Sequence, residues 1–317
     1  MKKILILIVA LVLLLGLPAA PVVAAPAQVW HVPEGFATIQ QAINSNQVLD
    51  GDTIVVGPGS HEGALVYKSV TIKGEDGAVI NDGPVHGSGL IQGFRLLTGS
   101  DGATISHLRF EDVDLVIMNA EAVDDVTVEH CTFIDSVQAI SNWRGSGWTI
   151  SHNEIIDLQT RNGGGIGILI ADFSGGIVEN NVVSHNKISG TLHVWANDGG
   201  GYDGCGIVIY ADFRWGAAGA EEISNNRVVN NKVALVSDTP AVVDVVAFEL
   251  TDTRDDVDAD PYPVIFGNAI GFNDFRGTTD KIALTPADLE YENYISRNLG
   301  DNRGQGLHPS MFGPGGN

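Results

Sequence analysis

Cysteine and cationic side chains are scarce in this chain. Two cysteines in 317 residues, Cys131 and Cys205, exclude a disulfide framework. They fall on different repeats, too far apart to be bridged, so two buried free thiols are expected. Lys and Arg number 17 against 39 Asp and Glu, a formal net charge of −22. Without a basic patch to displace counterions, nucleic acid is not an expected partner. Long apolar runs are also missing beyond residue 27, and nothing there can span a bilayer.

The first residues differ from the rest. Lys2 and Lys3 precede an apolar stretch, Ile4–Leu17, and small residues follow at Ala19, Ala20, Ala24, Ala25 and Ala27. This is the pattern of a secretory signal peptide over residues 1–27, with cleavage expected after Ala24 or Ala27. The apolar stretch is shorter than the roughly 20 residues a membrane span needs. The expected location is secreted, cell-surface or periplasmic, with no span left after cleavage.

Six segments repeat one phrase, an apolar residue, a polar corner and a second apolar residue five positions on. They are Ile105–Phe110, Val128–Phe133, Ile150–Ile155, Val178–Val183, Ile223–Val228 and Ile265–Ile270. The first three begin 23 and 22 residues apart, and later ones 28, 45 and 42 apart. A period near 22 is one lap of a parallel β-helix, and longer intervals imply inserted loops. The expected fold is all-β, a single right-handed parallel β-helix (a solenoid) over residues 28–317. A short amphipathic helix over Pro33–Asn44, with Phe36, Ile39, Ala42 and Ile43 on one face, is the expected N-terminal lid. A second short helix is expected within Leu284–Glu292. An open solenoid end would otherwise leave an edge strand and core in water.

The run from Thr38-Ile-Gln-Gln-Ala-Ile-Asn44 through Asp50-Gly-Asp-Thr-Ile-Val-Val-Gly-Pro-Gly-Ser-His61 to Val70-Thr-Ile-Lys-Gly74 and Ala78-Val-Ile80 resembles the entry of secreted right-handed parallel β-helix proteins. That pectate-lyase-like superfamily includes pectate lyases, pectinesterases and repeat proteins of the copper- or carbohydrate-binding kind. The resemblance implies the fold and an extracellular setting. It implies no catalytic residue: an Asp-Phe-Ile-Phe-Gly box and a Gly-His-Gly are absent, and Asp260-Pro-Tyr-Pro263 lacks the histidine of an Asp-Pro-His motif.

Columns of equivalent residues carry the remaining expectations. Asn153, Asn181, Asn226 and Asn268 read as one asparagine ladder at a tight turn. His107, His130 and His152 precede it by one position, and that column continues as Asn180, Asn225 and Gly267. His, Asn and Gly share a tolerance for positive φ, so the column reads as a backbone requirement. A third column ends strands at Asn119, Asn142, Asp172, Asp212 and Asp252. The residues after it include Trp143, Arg144, Phe213, Arg214, Trp215 and Arg254. Aromatic faces hold sugar rings, Arg pairs with carboxylates, and clustered Asp binds Ca²⁺ through oxygen.

These columns predict a lateral groove for extracellular polysaccharide. Asp172, Asp212 and Asp252 are the candidate catalytic residues and Ca²⁺ ligands, with Arg214 as catalytic partner. Trp143, Arg144, Phe213, Trp215 and Arg254, with His193, Trp195 and Tyr202 from the expected long loop Lys187–Asp203, are the candidate sugar contacts. Polysaccharide lysis or glycoside hydrolysis is the chemistry such a set would perform. The rival readings are a non-catalytic adhesin or matrix protein, and a periplasmic metal-binding protein supported by the three histidines.

Overall fold

The computed structural model describes residues 26–161, 164–173, 175–195, 204–213, 222–253, 264–287 and 289–301. Residues 1–25 of the expected signal peptide and the acidic run Asp255–Asp260 lie outside them. Three long sheets of ten, eight and seven strands run the length of the stack, and their pairings are parallel throughout. A three-stranded parallel sheet joins them from Ile177 onward.

Register shows why the sequence stacks. In the ten-stranded sheet, Ile54, Ile72, Ile105, Val128, Ile150, Val183, Val228, Ile270 and Ile295 pair rung upon rung. Every one of them is buried. In the seven-stranded sheet, Ile80, Phe110, Phe133, Ile155, Ile188 and Val233 form a second column. Phe110 and Phe133 stack there with ring centroids 5.1 Å apart. Each fully buried aliphatic or phenyl side chain contributes about 1.5–3 kcal/mol, so every added lap extends one continuous core.

The corners are built on left-handed residues and asparagine. His107, His130, His152 and His185 all have φ between 54° and 58°. Their imidazoles stack on the exposed edge at 5.0–5.1 Å between centroids. The backbone explanation of this column therefore holds, but its membership differs from the sequence reading. After His185 it continues through Asn230, Phe272 and Arg297, also at positive φ. Asn180, Asn225 and Gly267 are positive-φ residues of a separate corner beside the three-stranded sheet.

The asparagine ladder is likewise two ladders. Asn153, Asn186, Asn231, Asn273 and Asn298 form one, each Nδ2 donating to the next Oδ1 at 2.9–3.0 Å. Asn142, Asn181, Asn226, Asn268 and Asn293 form the other at 2.8–3.2 Å. Asn153 was expected to stack on Asn181; its neighbour is Asn186. Two corners five residues apart carry the same phrase in the later laps, and alignment by phrase alone picks the wrong one.

Both ends depart from the expected helices in length. The N-terminal helix is Ile39–Asn44, capped by the Thr38 hydroxyl, which accepts from Gln41 N. Phe36 lies before it and packs on Trp30 at 5.6 Å. The C-terminal helix is Leu289–Glu292, while Leu284 and Thr285 end the strand Asp280–Thr285. Neither Cys131 nor Cys205 forms a disulfide, and both are buried, as the spacing implied. No helix among the described residues is long and apolar enough to cross a membrane.

Candidate functional site

The outer face of the eight-stranded sheet carries the candidate site. Its strands break the simple inside–outside alternation. Ala139 and Ile140 both join the core, as do Val116 and Ile117, and Ala247 and Phe248. The outward positions around one such pair are therefore Gln138, Ser141 and Trp143, three and then two apart. Ser141 Oγ donates to Gln138 Oε1 at 2.7 Å across that gap. The same break reconciles Gln138, Glu249 and Tyr210, which simple alternation could not place on one face. Glu249 accepts from the Cys205 thiol at 2.8 Å and from the Thr251 hydroxyl.

A groove of about 560 Å³ opens on this face, lined chiefly by Leu90, Leu115, Met118, Gln138, Trp143 and Phe173, together with His86 and Ser88. Trp143 is its aromatic centre. Its ring meets Phe173 edge-on at 5.6 Å and Tyr210 at 6.3 Å. The Arg144 guanidinium lies 5.8 Å from the Phe173 centroid. The apolar surface continues along the stack through Ile166, Leu169, Ala171, Cys205 and Val208. A half-buried tryptophan with two further aromatics within stacking distance suits a ring with one apolar and one polar side. Tyr210 stands out in the sequence as a polar residue of its strand that simple alternation does not orient, whereas Leu115, Met118 and the His86–Leu90 segment carry no signal there. Both faces of these strands are apolar, and His86–Leu90 carries no repeat.

The aspartate column does not assemble as expected. Asn119 and Asn142 are in register, as implied by the pairing of Met118 with Ser141, but Asn142 pairs with Ile170. Asp172 pairs with Ala211, Ala211 pairs with Asp252, and Asp212 follows one residue later. Longer strands cause the offset: Gln138–Trp143 has six residues, Ile166–Asp172 seven and Gly204–Ala211 eight. Asp172, Asp212 and Asp252 are exposed by 0, 0 and 4 %. Asp172 serves its own corner, accepting from Gly176 N and facing Arg144 Nε at 3.6 Å. Asn142 does the same one lap earlier, accepting from Gly145 N at 2.7 Å. The three aspartates do not fit a shared calcium ion. Among the described residues, the group of three His, Cys, Asp or Glu whose ligand atoms gather within 4.8 Å is Asp135, Asp157 and His193.

The other expected contacts are dispersed. Trp143 lines the groove, and Arg144 reaches the Phe173 ring beside it. Phe213 packs against the core, and its backbone N donates to Thr253 Oγ1 at 2.9 Å. His193 and Trp195 lie at the end of the seven-stranded sheet, outside the groove, because Lys187–His193 is a strand and not part of a loop. Trp195 donates Nε1–H to Gln159 Oε1 at 3.1 Å, and the Arg161 guanidinium lies over its ring at 5.4 Å. Arg214, Trp215, Arg254 and Tyr202 lie outside the described residues.

Two carboxyls at that same sheet end are shifted, in opposite directions. Burial, and then the neighbouring Asp157 carboxylate, raise the Asp135 carboxyl above its usual range, with Asp112 adding to the effect. Asp238 is held low, mainly by the hydrogen bond from Val194 N and then by those from Thr239 and His193.

A cell surface glycoprotein of Methanothermus fervidus is 26% identical to this chain over 212 residues, which cover 64% of the chain and 34% of that glycoprotein. The chain thus spans about a third of the length of that relative. The family model described as a right handed beta helix region matches residues 69–246, more than half of the sequence and the same laps whose register is described above. The chain belongs to the right-handed β-helix family.

Proposed function

We propose that this is an extracellular β-helix protein whose groove on the eight-stranded sheet binds a carbohydrate chain. One observation carries the reading: Trp143 stands half-buried in an open groove, with Phe173 and Tyr210 at 5.6 and 6.3 Å. Such a surface takes the apolar face of a pyranose, while Gln138, Ser88 and Arg144 sit where hydroxyls or a uronate carboxylate could be met. The similarity to a protein named a cell surface glycoprotein supports the extracellular setting. The strong acidity of the chain favours neutral glycans, with Arg144 the local cation for an acidic one.

Binding without cleavage is the better-supported form. The aspartates expected to act as acid, base or calcium ligands are buried at corners, and Asp172 is engaged by Gly176 and Arg144. The test is a panel of neutral and uronic polysaccharides, with and without Ca²⁺, read by binding and by release of unsaturated products and reducing ends. Binding without product is expected, weakened at least about tenfold in Trp143→Ala, the loss of one aromatic–sugar contact. Binding unaffected by Trp143→Ala places the glycan elsewhere; product formation restores a catalytic reading.

A further inference from the structure

Three neighbouring strands of the seven-stranded sheet end in one cluster. Asp135 lies on Thr132–Ser136, Asp157 on Glu154–Gln159 and His193 on Lys187–His193. The pairs Ile134–Ile156 and Ser136–Leu158 bracket the two aspartates, which therefore occupy consecutive rungs of one column. A register shift opposite Ile156–Leu158 pairs His193 with Gln159. One ligand atom from each of the three residues lies within 4.8 Å of the others.

We propose that Asp135, Asp157 and His193 bind a divalent first-row transition cation, with Zn²⁺ the best-fitting ion. One imidazole nitrogen and two carboxylate oxygens are a donor set zinc accepts, and three protein ligands leave a position for water. Two observations beyond proximity support this.

The first is the orientation of the histidine. His193 Nδ1 lies 3.2 Å from Asp238 Oδ2. Asp238 is itself fixed by Val194 N at 3.1 Å and by the Thr239 hydroxyl at 3.0 Å. Donation from Nδ1–H to Asp238 leaves the Nε2 lone pair free for a metal, and a carboxylate behind a histidine is how metal-binding imidazoles are commonly oriented. The second is the room made for Asp157. A Cβ at Gly190 would meet Asp157 Oδ1 at 2.2 Å, so this glycine, at φ 104°, is what allows the carboxylate its position. Thr191 N then holds Asp157 Oδ1 at 2.6 Å and leaves Oδ2 for a cation. The Asp135 carboxylate has no hydrogen-bond partner among the described residues.

The test is calorimetric titration of the full chain, free of any affinity tag, with Zn²⁺ and separately with Ca²⁺. Zn²⁺ is expected to bind and Ca²⁺ to bind far more weakly. His193→Ala and Asp135→Asn should each weaken Zn²⁺ binding at least about tenfold. Asp238→Asn, which removes no ligand and alters the carboxylate that orients His193, should weaken it about tenfold as well. Circular dichroism confirms that each variant folds. The exposed stack of imidazoles is the competing zinc ligand, so a His130→Ala/His152→Ala double variant is the control and should keep the site. Substitution with Co²⁺ gives a second readout, a visible absorption band altered by His193→Ala and not by the double variant. Absence of Zn²⁺ binding, equal affinity for Ca²⁺, or loss in the double variant but not in His193→Ala would overturn the proposal.

Discussion

Asn153 Nδ2 donates to Asn186 Oδ1 at 3.0 Å, and the same oxygen accepts Asn153 N at 3.0 Å. Asn186 in turn donates to Asn231 Oδ1 and to the carbonyl of Ile150. One buried side chain thus satisfies groups on the laps to either side of it. Replacing Asn186 by Ala strands buried polar atoms above and below, at about 1–3 kcal/mol each. Urea unfolding of Asn186→Ala should show a loss of about 2–4 kcal/mol. A loss below about 1 kcal/mol would mean that water takes over the ladder's role.

The histidine corner makes a different demand. His152 is exposed and sits at φ 56°. Asn reaches that conformation easily and a β-branched residue does not. In a protein free of metal, His152→Asn should leave stability within about 0.5 kcal/mol, whereas His152→Val should cost about 1–2 kcal/mol. Thermal unfolding of the two variants checks this. Equal stabilities would show that the imidazole stack, and not the backbone, sets the residue type.

Burial pushes the Cys131 thiol up to about 12. The thiolate is the reactive form, so at pH 8 the native protein should leave Cys131 unmodified by iodoacetamide. Denaturant should expose it and allow complete alkylation. Mass spectrometry of the modified peptide separates it from Cys205. Rapid labelling of native Cys131 would contradict the buried placement.

Asp135 gives a pH signature whose sign is fixed by its raised carboxyl. A carboxyl whose folded value lies above its unfolded value disfavours the charged native state, so it subtracts from stability at neutral pH. That deficit vanishes as pH falls through the folded value. Asp135→Asn should therefore stabilise the metal-free protein near pH 7, by on the order of 0.5 kcal/mol for a partly solvated group. The gain should shrink toward pH 4. Melting temperatures of both proteins across that range supply the comparison. A gain that grows on acidification would reverse the assignment.

The fold was legible because its determinants are periodic. The 22–23-residue spacing of Ile105, Val128 and Ile150 is one rung of the ten-stranded sheet, and the corner histidines showed their backbone requirement in the sequence. Column membership was less legible. Asn181 and Asn186 follow similar phrases five residues apart, and only the hydrogen bonds separate their ladders. The site was harder still. Trp143 and Arg144 were found through their position after a strand end. The aspartates beside them followed from an assumed register that strand lengthening shifts. The Asp135–Asp157–His193 cluster combines a vertical neighbour with a residue offset by a bulge, and no spacing rule joins the three.

The asparagine ladders also govern how this molecule can change length. Asn153, Asn186, Asn231, Asn273 and Asn298 play the same part in successive turns of chain, and all their amides point in one direction along the axis. Any rung can therefore take its neighbour's place, but half a rung cannot. Genetic duplication or loss of a whole circuit would leave both amide files unbroken, whereas a partial one would interrupt them. Growth by complete circuits is the route by which such a protein could acquire reach without redesigning its interior.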